Sequence, residues 1–258
     1  MSLFDKWCDL DSKQTKRKSL WKLTEKNNGR KTVRTQLCST IRSHYDHLNR
    51  ISDDIANLGY KAAARILRER LPKTKKARSG DIGEILASEL VEEALDFKVP
   101  VRRMRYKDGR EMPLRGDDFI GVRYSEADGL RLLKGEAKSR GVLGQTTITE
   151  ARKSLNRDDG RCTPASLLFV ADRLLDRDGN DAEVGRVLRQ EVAMKVLGPS
   201  RIDHVLFTLS GNAPPSALQT DLDEADGGRN HTVVNIRIQD HQEFIADIYK
   251  GAGNIGDD

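Results

Sequence analysis

Residues 115–141, RGDDFIGVRYSEADGLRLLKGEAKSRG, constrain the fold more than any other stretch. Two apolar runs flank Ala127-Asp128-Gly129, which reads as a β-hairpin closed by a turn. The segment before it, SGDIGEILASELVEEAL (79–95), has helical spacing. Ile82, Leu86 and Leu90 form one face with Ile85 beside them, and Ser79 or Asp81 would serve as N-cap. Glu84 falls on the opposite side, with Ala87, Ser88 and Val91. Further strands are expected at 99–106, 166–171 (SLLFVA), 203–210 (DHVLFTLS) and 231–238 (HTVVNIRI). Helices are expected after the capping box Thr147-Ile148-Thr149-Glu150, over 182–197 and over 241–249. Strands alternating with helices predict an α/β layered domain.

Upstream of this domain the chain changes character. Residues 1–78 hold 20 Lys+Arg against 8 Asp+Glu, whereas 79–258 hold 25 against 32. A basic third of this kind suits a nucleic-acid partner, because each neutralised phosphate releases a counterion. Residues 1–36 are polar, with Phe4, Trp7, Leu10, Leu20, Trp21 and Leu23 as their only anchors, and read as loop or loosely packed helix. A helical stripe then runs Leu37, Ile41, Tyr45, Leu48, Ile51, Ile55, Leu58. A second helix would carry Ala63, Ile66 and Leu67 as far as Leu71-Pro72. The expected organisation is a basic, mainly helical region at 1–78, the α/β domain at 79–250 and a disordered tail at 251–258. No apolar run approaches the roughly 20 residues of a membrane helix. Acids stand where a signal peptide has its apolar segment, and the three cysteines form no CxxC pair. These features predict a cytoplasmic protein with no membrane partner.

The hairpin carries charges where a core strand should not. Alternation puts Lys134, Glu136 and Lys138 on one face of the second strand, and Asp118 with Ile120 and Val122 on one face of the first. Antiparallel pairing across the short turn brings Asp118 toward Glu136. Facing carboxylates raise each other's pKa, and a Mg²⁺ ion, which takes carboxylate oxygens and water, relieves the repulsion. Lys138 beside such an ion would orient a water or act as base. A site of this composition suits phosphodiester hydrolysis. Glu-x-Lys alone is no signal, since about one is expected by chance from 14 glutamates and 18 lysines in 258 residues. The alternative is a surface hairpin with frayed, charged ends.

Asp118, Glu136-Ala137-Lys138 and a helical Glu84 resemble the PD-(D/E)XK, restriction-endonuclease-like nucleases. More narrowly, RSGDIGEILASEL, PLRGDDFIGV and LKGEAKSR are similar to the HamA-type nuclease subunits of the Hachiman anti-phage defence system. That resemblance implies a restriction-endonuclease-like core of a mixed sheet flanked by helices, with a basic helical N-terminal extension. It implies a Mg²⁺-dependent DNA nuclease (Mn²⁺ substituting) held in check by a superfamily 2 helicase of the HamB type. Asp118 and Glu136 would be metal ligands together with the Ala137 carbonyl, Lys138 would handle the water, and Glu84 would be an accessory ligand or would orient Lys138. Asp117 is the alternative to Asp118. No proline precedes Asp118, and Gln145 has Thr149 rather than tyrosine four residues on, so Gln145 and Lys153 receive no role. Lys73, Lys75, Lys76, Arg78, Arg115 and Arg140 are the candidate phosphate contacts. A non-catalytic DNA-binding adaptor and a sequence-specific restriction enzyme are the competing readings.

Other motifs carry less. His44 and His47 lie one helical turn apart without further ligands, and Asp176–Asp181 lacks the glycine and glutamate of a calcium loop. The G-x-x-x-x-G-K-S/T phosphate loop is absent, so any ATP-driven step belongs to a partner.

Overall fold

The computed structural model describes residues 2–256. The helices are α1 (Leu3–Trp7), α2 (Gly29–Tyr45), α3 (Leu48–Leu58), α4 (Tyr60–Arg70), α5 (Lys75–Ala94), α6 (Gln145–Asn156), α7 (Pro164–Leu175), α8 (Asn180–Met194), α9 (Ala217–Glu224) and α10 (His241–Ala252). The strands are β1 (Cys8–Thr15), β2 (Lys18–Glu25), β3 (Phe119–Ser125), β4 (Gly129–Arg140), β5 (Ile202–Ser210) and β6 (His231–Arg237). They form one mixed sheet in the order β1-β2-β6-β5-β4-β3. The four inner strands are parallel, and β1 and β3 pair antiparallel at the two edges.

Both faces of the sheet are covered at its inner strands, which is why β5 and β6 are almost wholly buried and carry the apolar runs Val205-Leu206-Phe207 and Val233-Val234. On one face α1, α2, α5 and α10 pack over Phe119, Leu133, Ala137, Phe207 and Ile236. On the other face there are two separate clusters. One joins α7 and α8 to Ile120, Val122, Leu132 and Ile202, and the second joins α6 and α9 to Leu20, Leu206 and Val233. Between them the strands turn polar, at Lys134 and Glu136 of β4 and His204 of β5.

Several expectations are corrected. Residues 8–25 are a β-hairpin, and β2 pairs in parallel with β6, so the basic N-terminal third is built into the same sheet as the hairpin at 115–141. The boundary at residue 78 also falls inside α5, whose N-cap is Thr74, not Ser79 or Asp81. The helical stripe starts earlier than Gln36 and breaks at Asp46 and His47 into α2 and α3. SLLFVA lies in α7, because a short apolar run does not distinguish a buried strand from a buried helix. Residues 99–106 give only an isolated bridge at their entrance, Lys98 to Val122, and a 3₁₀ turn at Arg103–Tyr106. α6 begins at Gln145, ahead of the presumed capping box. The tail is ordered at its start: α10 continues through Ala252, and the Arg42 guanidinium donates to the carbonyls of Gly251 and Ala252. Asp257 and Asp258 lie outside the described residues.

Gly135 pairs with Phe119 across the β3–β4 hairpin, and a Cβ at 135 would fall inside the Phe119 ring. Gly135→Ala is therefore expected to destabilise the fold by about 1–3 kcal/mol, the cost of overpacking a filled core. An unchanged urea midpoint would contradict this packing.

Candidate functional site

β3 begins at Phe119, opposite Gly135, so Asp118 sits just beyond the end of β3, level with Glu136. There the Ala137 N–H, which has lost its strand partner, donates instead to Asp118 Oδ2 at 2.8 Å. Residues in a ladder present N–H and C=O to the same neighbour, so the Ala137 carbonyl faces this gap as well. Glu136 is buried, and Lys138 Nζ, two residues along the same face, donates to Glu136 Oε1.

The electrostatics follow from this crowding. Burial and then the Asp118 charge push the Glu136 carboxyl up to about 7. Burial also raises Asp118, against the opposing pull of Lys138 and the Ala137 N–H. Glu84, on the neighbouring helix α5, is raised well above the usual glutamate range by burial and by Asp118. Its Oε2 is buried without a hydrogen bond and lies 3.6 Å from Arg103 Nη1. Asp118 thus acts on both Glu84 and Glu136 at the open end of β3. They come from both sides of the sheet, Glu84 from the α5 layer and Glu136 from the opposite face.

A proton binds Glu136 more tightly in the folded chain than in the unfolded one. Folding stability should therefore fall as pH rises from 4.5, the ordinary glutamate value, to about 7. In divalent-free buffer, wild type should lose ground to Glu136→Gln across that interval. Urea midpoints of the two proteins that run parallel from pH 4.5 to 8 would refute the repulsion.

Asp117 and Asp118 are separated by their partners. Asp117 is buried, its Oδ2 accepts from the Thr163 N–H at 2.7 Å, and its Oδ1 lies 3.6 Å from Lys134 Nζ. Lys134 in turn donates to the carbonyls of Arg157 and Arg161, both at 2.8 Å. Asp117 is thus committed to holding the 157–163 loop, and Asp118 faces Glu136. Arg103 plays a part that the sequence did not signal. Its guanidinium donates to the Asp118 carbonyl at 2.7 Å, to the Asp117 carbonyl and to the Arg115 carbonyl at 2.9 Å, fixing the approach to β3.

The basic candidates divide in a similar way. Ser79 Oγ donates to the Ser139 carbonyl at 3.1 Å, which seats the start of α5 over the end of β4. Exposed Lys75 and Lys76 therefore lie at the same end as exposed Arg140. Lys73 is exposed just ahead of α5, and Arg115 on the loop before β3. Arg78 is engaged internally, donating to the Pro72 carbonyl at 2.8 Å and lying over the Tyr249 ring. Gln145 and Lys153 are exposed on α6. His44 bonds Glu89 at 2.8 Å and His47 contacts Arg105, so the histidine pair serves packing.

Among the described residues, no group of three His, Cys, Asp or Glu side chains is gathered closely enough to hold a metal unaided. The donor chemistry nevertheless fits a hard cation. Asp118 and Glu136 disfavour each other's charge, a Glu84 oxygen is buried without a hydrogen bond, and water would have to complete the shell.

A curated relative, the Hachiman protein HamA of Bacillus cereus, is 31% identical over 117 residues, which are 45% of this chain and 40% of that protein. The chain thus spans less than half the length of the relative it matches. The HamA family model matches residues 1–252. With that match running across the whole sheet and every helix of the described residues, the chain belongs to the HamA family.

Proposed function

We propose that this protein is a divalent-metal-dependent DNA nuclease of Hachiman anti-phage defence, controlled by a helicase partner. The observation that carries the reading is the meeting of Asp118 and Glu136 at the end of β3, with Lys138 bonded to Glu136. Asp118 and Glu136 would hold the ion, with the Ala137 carbonyl facing the same gap. Bound there, Mg²⁺ would polarise the scissile phosphate and acidify an attacking water. Lys138 Nζ would position that water and restrain Glu136. Arg103 would keep Asp118 in place through main-chain carbonyls and offset the charge of Glu84. Lys75, Lys76, Arg115 and Arg140 would hold the DNA backbone around the site. These features support a restriction-endonuclease-like core of the PD-(D/E)XK kind.

The experiment is plasmid cleavage by the purified chain, alone and with its helicase partner. Activity is expected with Mg²⁺ or Mn²⁺, none with a chelator, and none from Lys138→Ala. Cleavage that survives chelation, or that Lys138→Ala leaves intact, would reject the site.

A second reading has one observation in its favour, the absence among the described residues of a ready three-side-chain ligand group. On that reading the chain is a non-catalytic DNA-binding adaptor. Calorimetry separates the two, because an adaptor with a degenerate site takes up no Mg²⁺.

A further inference from the structure

A concavity opens next to the start of β3, on the α7 face of the sheet. It measures about 170 Å³ and is walled by Val101, Leu114, Ile120, Phe169 and Val170. Arg103, Arg115 and Asp117 complete its lining, and these residues also frame the entrance to β3. Its volume is well below the roughly 300–1,000 Å³ of pockets that take drug-sized molecules, so it admits a single ring system and no more. Its apolar and aromatic walls are joined by polar groups whose partners are largely internal: Arg103 is held by main-chain carbonyls, and Asp117 by Thr163 and Lys134, which leaves Arg115 as the exposed cation.

The pocket is constructed by specific contacts. Gly116 has a positive φ of 98°, and a Cβ there would collide with Ser166 Oγ. The glycine lets the 114–117 loop lie against α7, where the Asp117 N–H donates to Ser166 Oγ at 2.9 Å. Arg173, which is not part of the lining, stacks over Phe169 with its guanidinium carbon 4.5 Å from the ring centroid, and Tyr106 meets the same ring edge-to-face at 5.6 Å, which fixes that wall. A small, largely apolar pocket beside the proposed phosphate-cleaving centre, with the exposed Arg115 in its lining, matches a nucleobase attached to a sugar-phosphate backbone.

We propose that this pocket receives one unstacked base of the DNA strand, next to the phosphate presented to Asp118 and Glu136. The proposal rests on the nuclease reading and names its substrate form: a strand with at least one base free to leave its stack, as in single-stranded or frayed DNA. Arg115 would hold the neighbouring phosphate while the ring enters between Phe169 and Ile120.

The test uses the full chain, single-stranded oligonucleotides carrying one tetrahydrofuran abasic residue at successive positions, and Ca²⁺ in place of Mg²⁺ for equilibrium binding. Stacking of one base on an aromatic wall is worth about 5–150-fold in affinity. One position is therefore expected to bind at least about 5-fold more weakly when abasic, all others remaining equal. Ala165→Phe fills the pocket from the exposed first turn of α7, where substitutions disturb folding little. It should weaken the intact oligonucleotide to the level of that abasic one and abolish the positional difference. A flat abasic scan, or a scan that Ala165→Phe leaves unchanged, would overturn the proposal. Cleavage in Mg²⁺ with a flat scan would remove the pocket and keep the nuclease. A positional effect in a chain that never cuts would keep the pocket and remove the nuclease.

Discussion

Asp118→Asn is expected to lower DNA cleavage by about 10²–10⁴-fold while the chain stays folded, because a metal and its ligands supply several kcal/mol of transition-state stabilisation. The neighbouring substitution should behave in the opposite manner. Asn at 118 can still accept the Ala137 N–H, and it removes a charge that burial and crowding disfavour, so the urea midpoint should hold or rise above pH 7. Asp117→Asn leaves Lys134, nearly inaccessible to solvent, without its carboxylate and should lower stability by several kcal/mol. Measuring cleavage and urea midpoints for both variants separates the two roles. If Asp117→Asn is the silent and stable one, the assignment of the metal ligand is reversed.

The largest stability effect is expected at Lys107. Its ammonium lies 2.9 and 2.8 Å from the two Asp81 oxygens, and both side chains are less than a tenth exposed. Asp81 also accepts from the Tyr45 hydroxyl, which contacts the Tyr249 hydroxyl at 3.1 Å, so one ion pair ties α5 to α2 and α10. Lys107→Met strands a buried carboxylate and should lose about 3–5 kcal/mol. At about 2–4 °C per kcal/mol for a chain of this size, the melting temperature should drop by roughly 10 °C. Adding Asp81→Asn should return part of that loss. The deficit should also shrink in acid, because burial already raises Asp81 and protonation removes the stranded charge. A loss below about 1 kcal/mol, typical of exposed pairs, would mean that water reaches this pair.

What the sequence discloses depends on how much of a segment's environment its own side chains record. β5 and β6 are legible because both of their faces are covered, so each carries a run of β-branched and other apolar residues, Val205-Leu206-Phe207 and Val233-Val234. The meeting of Asp118 with Glu136 is legible by counting outward from the Asp128-Gly129 turn, since register in a short hairpin leaves little freedom. β1 is not legible. Seven of its eight residues face solvent at the sheet edge, and Leu10 is its single large apolar side chain after Cys8. Its strand state comes from pairing with β2, which no local pattern reports. Arg103 is hidden for a related reason, because what it binds are main-chain carbonyls supplied by another segment. The choice between Asp117 and Asp118 depends on Thr163 and Lys134, which lie outside the motif altogether.

The parallel pairing of β2 with β6 joins Lys18–Thr24 to His231–Arg237, more than two hundred residues further on. During synthesis at about 5–20 residues per second, β2 waits on the order of 10–40 s for its neighbour to emerge. The basic N-terminal third cannot complete its sheet in that interval. A nascent chain interrupted before residue 231 would carry Asp118, Glu136 and Lys138 but no strand to close the layer behind them. Long-range closure of this kind slows folding. On the nuclease reading, cutting competence would arrive only with the last strand and helix, and prematurely terminated products would be inert toward the cell's own DNA.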